Sequence, residues 1–113
     1  MSARIYGILE HMLEDASDAM RFAEEVGNAE AFTDSKLYRK AIIMSILNIG
    51  ELAKNLPQEF KAAHAEIPWK KIAGMRDIAA HGYHVMDDDI IWDVVTRSIP
   101  DLARFLQKQL AVE

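Results

Sequence analysis

Apolar residues recur at close to the helical period of 3.6 along the first quarter of the chain. This spacing predicts one long helix from Ser2 to Val26, which Gly27 can end. The residues of the pattern are Ile5, Ile8, Leu9, Met12, Ala16, Ala19, Ala23 and Val26. No stretch of strand length alternates between apolar and polar residues. We therefore expect an all-helical fold.

The second predicted helix has an unusual apolar centre. It should begin at Thr33 or Asp34, since either residue can cap a helix, and it should end before Pro57. Residues 41–49 in its centre are apolar on nearly every face, whereas a surface helix needs only one apolar stripe. We expect this helix to pack on two sides, and its excess apolar surface predicts a homodimer interface as well.

Prolines and acidic residues mark the remaining helices. Pro57 and Pro68 each suit the first turn of a helix, so we predict a short helix after Pro57 and a longer helix from Pro68 to about His81. The aspartates at 87–89 can cap a final helix, in which Pro100 should cause a kink. The whole pattern predicts an all-α, up-and-down bundle of four main helices plus one short helix.

Length and composition set limits on the protein class. The chain has 113 residues, half of them apolar, which suits a single helical domain over residues 1–113. It contains no cysteine, and no apolar segment is long enough to span a membrane. His11 and His64 have no second ligand at metal spacing, so we assign both to solvent. We predict a cytoplasmic protein with no cofactor, no metal and no membrane association.

The charge balance limits how the protein could bind nucleic acid. A net charge of -5 disfavours broad, non-specific binding, because such binding neutralises many phosphates with basic groups. A nucleic-acid function would therefore need a local basic cleft. Lys70, Lys71 and Arg76, joined by Lys54 and Arg97, could line such a groove in a dimer.

Residues 74–83 concentrate reactive side chains. Arg76, Asp77, His81 and Tyr83 bring a cation, a carboxylate, an imidazole and a phenol into one short segment. Asp77 and His81 lie one turn apart on a helix, so the carboxylate could fix the tautomer of the imidazole. Arg76 lies about 140° away from His81 on a regular helix. A two-fold dimer would let Arg76 of one chain meet His81 of the other, unless the helix loosens at its end or the long arginine side chain bends round.

These groups fit the cleavage of an RNA phosphodiester, which needs a base, an acid and positive charge on the phosphate. Two copies of His81 could share the acid and base work while Arg76 holds the phosphate, with no metal required. The structural alternative gives the same residues ordinary roles. His81 would then cap the helix by bonding to Asp77, Arg76 would form a surface salt bridge, and Tyr83 would lie at the rim of the core.

The arginine, histidine and tyrosine spell RxxxxHxY over residues 76–83, and in this helical context the chain resembles the HEPN superfamily, specifically the HepT-like toxins. Residues 48–53, 68–69 and 91–93 also resemble segments of that family. The resemblance covers most of the chain, from about residue 5 to residue 106.

The resemblance implies a homodimer whose two motifs form a cleft and which acts as a metal-independent endoribonuclease. Arg76 and His81 would be its catalytic residues, supported by Asp77. In such a type VII toxin–antitoxin system the partner is a MntA-like nucleotidyltransferase antitoxin, which transfers AMP from ATP to the motif tyrosine, here Tyr83. The added charge and bulk beside Arg76 would keep RNA out of the cleft.

Two alternatives to an RNA-cutting toxin remain open. The chain could be a non-catalytic nucleotide-binding module that docks a nucleotidyltransferase through its apolar second helix, or a helical dimerisation subunit of a larger complex. Protein that binds the partner but leaves RNA intact would favour the first alternative. Substitutions at Arg76 and His81 that change only the melting temperature would favour the second.

Overall fold

The computed structural model describes residues 1–81 and 87–111 of the chain, and for residues 78–81 it describes the helical backbone but not the side chains. Every regular element in these ranges is a helix, which confirms the all-helical prediction. No helix in them combines the length and the apolar character that crossing a membrane requires. The elements are α1 (Ala3–Val26), α2 (Ala29–Asp34), α3 (Lys36–Lys54), α4 (Gln58–Ala63), α5 (Trp69–His81), α6 (Asp88–Asp93), a π-helical turn (Val94–Ser98) and α7 (Ile99–Ala111).

The main helices fall where the apolar pattern placed them, but the number of short helices differs. The four main helices are α1, α3, α5 and the helical run from α6 to α7. The short helix predicted after Pro57 is α4. The prediction of only one short helix is wrong, because α2 is a second one. Its N-cap is Asn28, whose side-chain oxygen accepts a hydrogen bond from the N–H of Ala31 at 2.8 Å.

The start of α3 differs slightly from the prediction. Thr33 and Asp34 lie in the last turn of α2, so neither caps α3. Ser35 is the N-cap instead, because its backbone is extended and its Oγ accepts a hydrogen bond from the N–H of Tyr38 at 3.1 Å. Three consecutive residues that can all cap a helix leave its first residue undetermined by composition alone. The predicted cap of the last main helix is confirmed at Asp87, which accepts from the N–H of Asp89 at 2.9 Å.

Helix α3 is the centre of the bundle. It packs against α1 on one side and α5 on the other, and α7 packs against α1. The predicted packing of α3 on two sides is therefore confirmed within one chain. Its buried apolar residues are Ile42, Ile43, Ile46, Ile49 and Ala53. A third side still carries Leu37 and Met44, which are 72% and 56% exposed.

An aromatic cluster holds the beginning of α5. The indole Nε1 of Trp69 donates a hydrogen bond to the carbonyl oxygen of His64 at 3.0 Å, and its ring lies 5.8 Å from that of Phe105. The His64 ring packs between Phe60 and Phe105, with centroid distances of 4.6 and 5.2 Å. The assignment of His64 to solvent is therefore wrong, because its ring fills a gap between α4 and α7. His11 is exposed, as predicted.

The last main helix changes geometry near its middle. The distortion expected at Pro100 takes the form of a π-helical turn directly upstream, from Val94 to Ser98. Within it Val94 and Val95 are buried, and Thr96 Oγ1 donates to the carbonyl oxygen of Trp92 at 2.7 Å. The helix that follows the turn lies against α1 and closes the core.

Candidate active site

The predicted catalytic segment lies on α5, whose backbone is helical from Trp69 to His81. Because Arg76 and His81 are five residues apart on this helix, their Cα atoms are separated by about 140° around its axis. The His81 side chain and Tyr83 lie outside the described residues. The geometry of the site is therefore built on Arg76, Asp77 and the part of α3 that faces them.

Arg76 is held by two carboxylates from two different helices. Its Nε forms an ion pair with Oε1 of Glu51 on α3. Its Nη1 donates a hydrogen bond to Oδ1 of Asp77, the next residue on α5, at 2.8 Å. The Arg76 side chain is 34% exposed, so the guanidinium is fixed at its base while still reaching water.

Gly50 explains how α3 and α5 come this close. A Cβ atom at position 50 would lie 2.6 Å from the Cβ of Arg76 and 3.0 Å from its backbone nitrogen. Neither of these atoms can move away by a change of side-chain rotamer. Glycine is therefore required for the observed contact between the two helices, and the contact occurs at the candidate catalytic arginine.

The two carboxylates strengthen the positive charge at Arg76. The hydrogen bond that Arg76 donates to Asp77 and the negative charge of Glu51 raise the pKa of Arg76 above its already high value. The side chain is thus a permanent cation, able to bind a phosphate but unable to act as an acid or a base at physiological pH. Proton transfer at this site would have to come from another residue.

The structure gives Asp77 a partner that the sequence did not predict. Its expected role was to orient the imidazole of His81, whereas its described hydrogen bond is with Arg76. Its side chain is 61% exposed. Gly50 and Glu51 were not singled out as site residues. The available signal was a glycine and an acidic residue in succession within a strongly apolar helix, a pattern that suggests a close helix contact and a polar partner.

The predicted basic residues do not line one groove within a single chain. Lys70 lines a groove between α4 and α5 together with Lys61, which the sequence analysis did not select. Lys71 lines a separate pocket between α5 and α7. Lys54 is exposed at the end of α3, and Arg97 forms an ion pair within its own helix.

An all-helical bundle with an arginine fixed five residues before a helix-terminal histidine has the features of a HEPN-type protein. The model of the family described as Ribonuclease HepT-like matches residues 12–109. That match covers most of the chain, so the protein belongs to the HepT-like ribonuclease family. The family and the class of enzyme predicted from the sequence are thereby confirmed.

Three curated relatives are similar to this chain over 78–93% of their own length. "Putative RNase TTE0752" of Caldanaerobacter subterraneus subsp. tengcongensis is 35% identical over 105 residues, which is 93% of this chain and 93% of the relative. "Probable ribonuclease HepT" of Thermococcus cleftensis is 37% identical over 99 residues, or 85% of this chain and 90% of the relative. "Putative RNase MJ0127" of Methanocaldococcus jannaschii is 37% identical over 99 residues, or 88% and 78%. No solved structure matches the chain significantly.

Proposed function

We propose that this protein is a cytoplasmic, single-domain toxin that cleaves RNA without a metal ion, with Arg76 and His81 as its catalytic residues. The observation that carries the proposal is that Arg76 is both held in place by carboxylates and accessible to solvent. Its guanidinium is anchored by Glu51 and Asp77 at a close helix contact, yet a third of the side chain reaches solvent. A fixed and accessible cation of this kind suits a phosphodiester that gains charge during cleavage.

The active unit in this proposal is a homodimer. Within one chain α5 carries Arg76 and His81 with their Cα atoms about 140° apart around the helix axis, so the two positions lie on different sides of the helix. Leu37, Met44 and Glu51 follow one another at seven-residue intervals on α3, which places them on one side of that helix. The exposed Leu37 and Met44 supply apolar surface for a second copy next to the arginine. The two-fold axis then pairs Arg76 of one protomer with His81 of its partner.

Cleavage divides the work between the two residue types. The 2′-hydroxyl attacks the adjacent phosphorus while one His81 takes its proton, and the other His81 donates a proton to the departing 5′ oxygen. Arg76 stabilises the additional negative charge on the non-bridging oxygens. This division explains the need for a motif that combines a permanent cation with an imidazole.

The proposed regulation acts on the same cleft. A MntA-like nucleotidyltransferase would transfer AMP from ATP to the hydroxyl of Tyr83, which loses its proton as pyrophosphate leaves; Tyr83 lies two residues beyond His81 in the sequence. The phosphate of the added AMP would then compete with RNA for Arg76.

Purified protein and a fluorescent RNA provide the direct test. Wild type should cleave the RNA in the presence of a chelator, and Arg76→Ala or His81→Ala should lose cleavage while keeping the wild-type melting temperature. Arg39→Ala is the matched control, because Arg39 also pairs with a carboxylate of another helix but lies at the opposite end of α3. If wild type binds a nucleotidyltransferase yet leaves RNA intact, the non-catalytic docking module is the better explanation.

Co-expression with a MntA-like nucleotidyltransferase tests the regulatory part of the proposal. Intact-mass measurement should show the chain heavier by one or more AMP units, and Tyr83→Phe should remain unmodified. An unmodified wild-type chain under these conditions would remove the AMP-transfer proposal without affecting the nuclease proposal.

A further inference from the structure

We propose that Glu51 is a positioning residue for Arg76, and that Gly50 sets the distance between α3 and α5 that lets Glu51 do this. The inference rests on the proposed catalytic role of Arg76 and extends the functional site to a second helix. It assigns to Glu51 the task of fixing the direction of the guanidinium before RNA binds.

The close contact between α3 and α5 at Gly50 fixes the base of the Arg76 side chain. A Cβ on residue 50 would come within 2.6 Å of the Arg76 Cβ and within 3.2 Å of the Arg76 Cα. Both atoms belong to the rigid base of the arginine, so the position of α5 is set by the surface of α3 at this point. The base of the Arg76 side chain is therefore fixed, while its long tip would otherwise be free to rotate.

The two carboxylates that contact Arg76 come from different helices. Asp77 is the neighbour of Arg76 on α5 and its side chain is 61% exposed, so its hydrogen bond holds the guanidinium to a carboxylate that is itself mostly in water. Glu51 lies on α3, which is the central helix of the core. Its ion pair with Nε therefore ties the tip of the arginine to the central helix of the bundle.

Part of the Arg76 guanidinium remains available to bind a phosphate. Glu51 engages Nε and Asp77 engages Nη1, while Nη2 donates no hydrogen bond to a residue in the described ranges. A guanidinium held in this way presents one defined edge instead of a mobile charge. Pre-orientation of this kind favours the transition state, because no rearrangement is needed when the phosphate gains charge.

The opposite reading is that Glu51 competes with RNA by occupying the cation. The two readings predict opposite changes when the carboxylate is removed. Positioning predicts slower cleavage at similar affinity, whereas competition predicts tighter RNA binding and cleavage that is at least as fast.

The experiment compares Glu51→Ala with Glu51→Gln in the full chain. The glutamine keeps an oxygen that accepts from Nε, so its kcat should stay within about threefold of wild type, whereas alanine should lower kcat by about 10- to 100-fold with little change in KM. Asp88→Ala is the control, because it breaks a second ion pair between α3 and a different helix, at the far end of α3 from Glu51. It should lower the melting temperature without lowering kcat. Unchanged or faster cleavage by Glu51→Ala, or an equal loss in Glu51→Gln, would overturn the proposal.

A spectroscopic measurement separates this inference from the nuclease proposal. In wild type and Glu51→Gln, the Arg76 Nε–H should give a separate NMR signal with slow hydrogen exchange, assigned by its loss in Arg76→Lys. In Glu51→Ala this signal should exchange rapidly. RNA left intact by the wild type would remove the nuclease proposal, while an Nε–H that exchanges equally fast in wild type, Glu51→Gln and Glu51→Ala would remove the positioning role.

Discussion

The two ends of α3 each carry an arginine–carboxylate pair with another helix, and the two pairs are built differently. Near the beginning of α3, Arg39 directs Nε and Nη2 to the same oxygen of Asp88, at 3.2 and 3.0 Å. These two side chains are only 23% and 18% exposed. Near the end of α3, Glu51 pairs with Arg76, which shares its charge with Asp77, and the exposed fractions of Glu51 and Arg76 rise to 45% and 34%.

This difference indicates which pair is structural and which is available for chemistry. Arg39 uses one edge of its guanidinium on a single partner in a half-buried place, which suits the attachment of α6 to α3. Arg76 divides its contacts between two carboxylates and keeps part of its surface in water. Ion pairs between helices thus serve different purposes in the same small bundle. The exposed fraction of the arginine and the number of its carboxylate partners distinguish the structural pair from the pair available for chemistry.

Replacing each arginine by lysine gives the largest expected contrast. Arg76→Lys keeps the charge but loses the planar guanidinium, so the rate of RNA cleavage should fall on the order of 100-fold or more. Arg39→Lys should cleave at the wild-type rate. Single-turnover kinetics with saturating enzyme measure both, and equal rates for the two variants would mean that Arg76 is as structural as Arg39.

The helix contact at the Arg76 end gives the next largest effect. Gly50→Ala should lower the free energy of unfolding by about 1–3 kcal/mol, because the added methyl group meets atoms that cannot move aside. Gly7 and Gly74 are matched controls, since both are helical and a Cβ there meets nothing within 4 Å. Their alanine variants should be more stable by up to about 1 kcal/mol. Urea unfolding measures all three, and a Gly50→Ala variant as stable as the controls would contradict the close contact.

Neutralising the acidic partner of each pair should give a smaller difference. Asp88→Asn should cost about 1 kcal/mol of unfolding free energy, because the pair is largely shielded from water. Glu51→Gln should cost less than about 0.5 kcal/mol, because its pair is more exposed and screened. Thermal unfolding at low and high salt checks both values. A larger loss in Glu51→Gln than in Asp88→Asn would reverse the structural ranking of the two pairs.

The smallest expected effect concerns Asp15, a carboxylate on α1 that forms a hydrogen bond with Asn48 of α3. Burial raises the pKa of Asp15, while a hydrogen bond from Asn48 opposes the shift. A pKa raised in the folded state stabilises the protein below the unfolded value of 3.8 and loses that contribution as the pH rises through the folded value. Asp15→Asn should therefore gain stability relative to wild type as the pH increases over this range, by less than about 1 kcal/mol after solvent screening. Unfolding at pH 3 and pH 7 measures the change, and a stability difference between variant and wild type that is the same at both pH values would contradict it.

Much of the fold follows from local patterns in the sequence. The helical period predicted the main helices, and Pro57, Pro68 and Asp87 predicted where three of the helices begin. The helix α2 was missed because it has only six residues, too few to show a helical period, between the caps Asn28 and Ser35. The packing of His64 was missed because its aromatic neighbours come from α4 and from Phe105 on the last helix, a contact that no local pattern encodes.

The candidate site was predictable in its residues but not in its contacts. The sequence places Arg76 and Asp77 side by side, and their hydrogen bond is a local event. The contact with Glu51 depends on how α3 and α5 cross, and the crossing point depends on the missing side chain of Gly50. Sequence periodicity identifies the face of a helix that is buried, but it does not identify the residue on the neighbouring helix that touches it.

The π-helical turn in the last main helix has a consequence for the register of its buried face. On an uninterrupted α-helix, the buried residues after the turn would point roughly 80° away from those before it. The wide turn takes up about one extra residue, which brings both sets back to the same side. If one residue were deleted between positions 94 and 98, a straight α-helix without the π-helical turn would place both sets of buried residues on the same side. The buried residues in question are Ile91, Val94 and Val95 before, and Ile99, Leu102, Ala103 and Leu106 after.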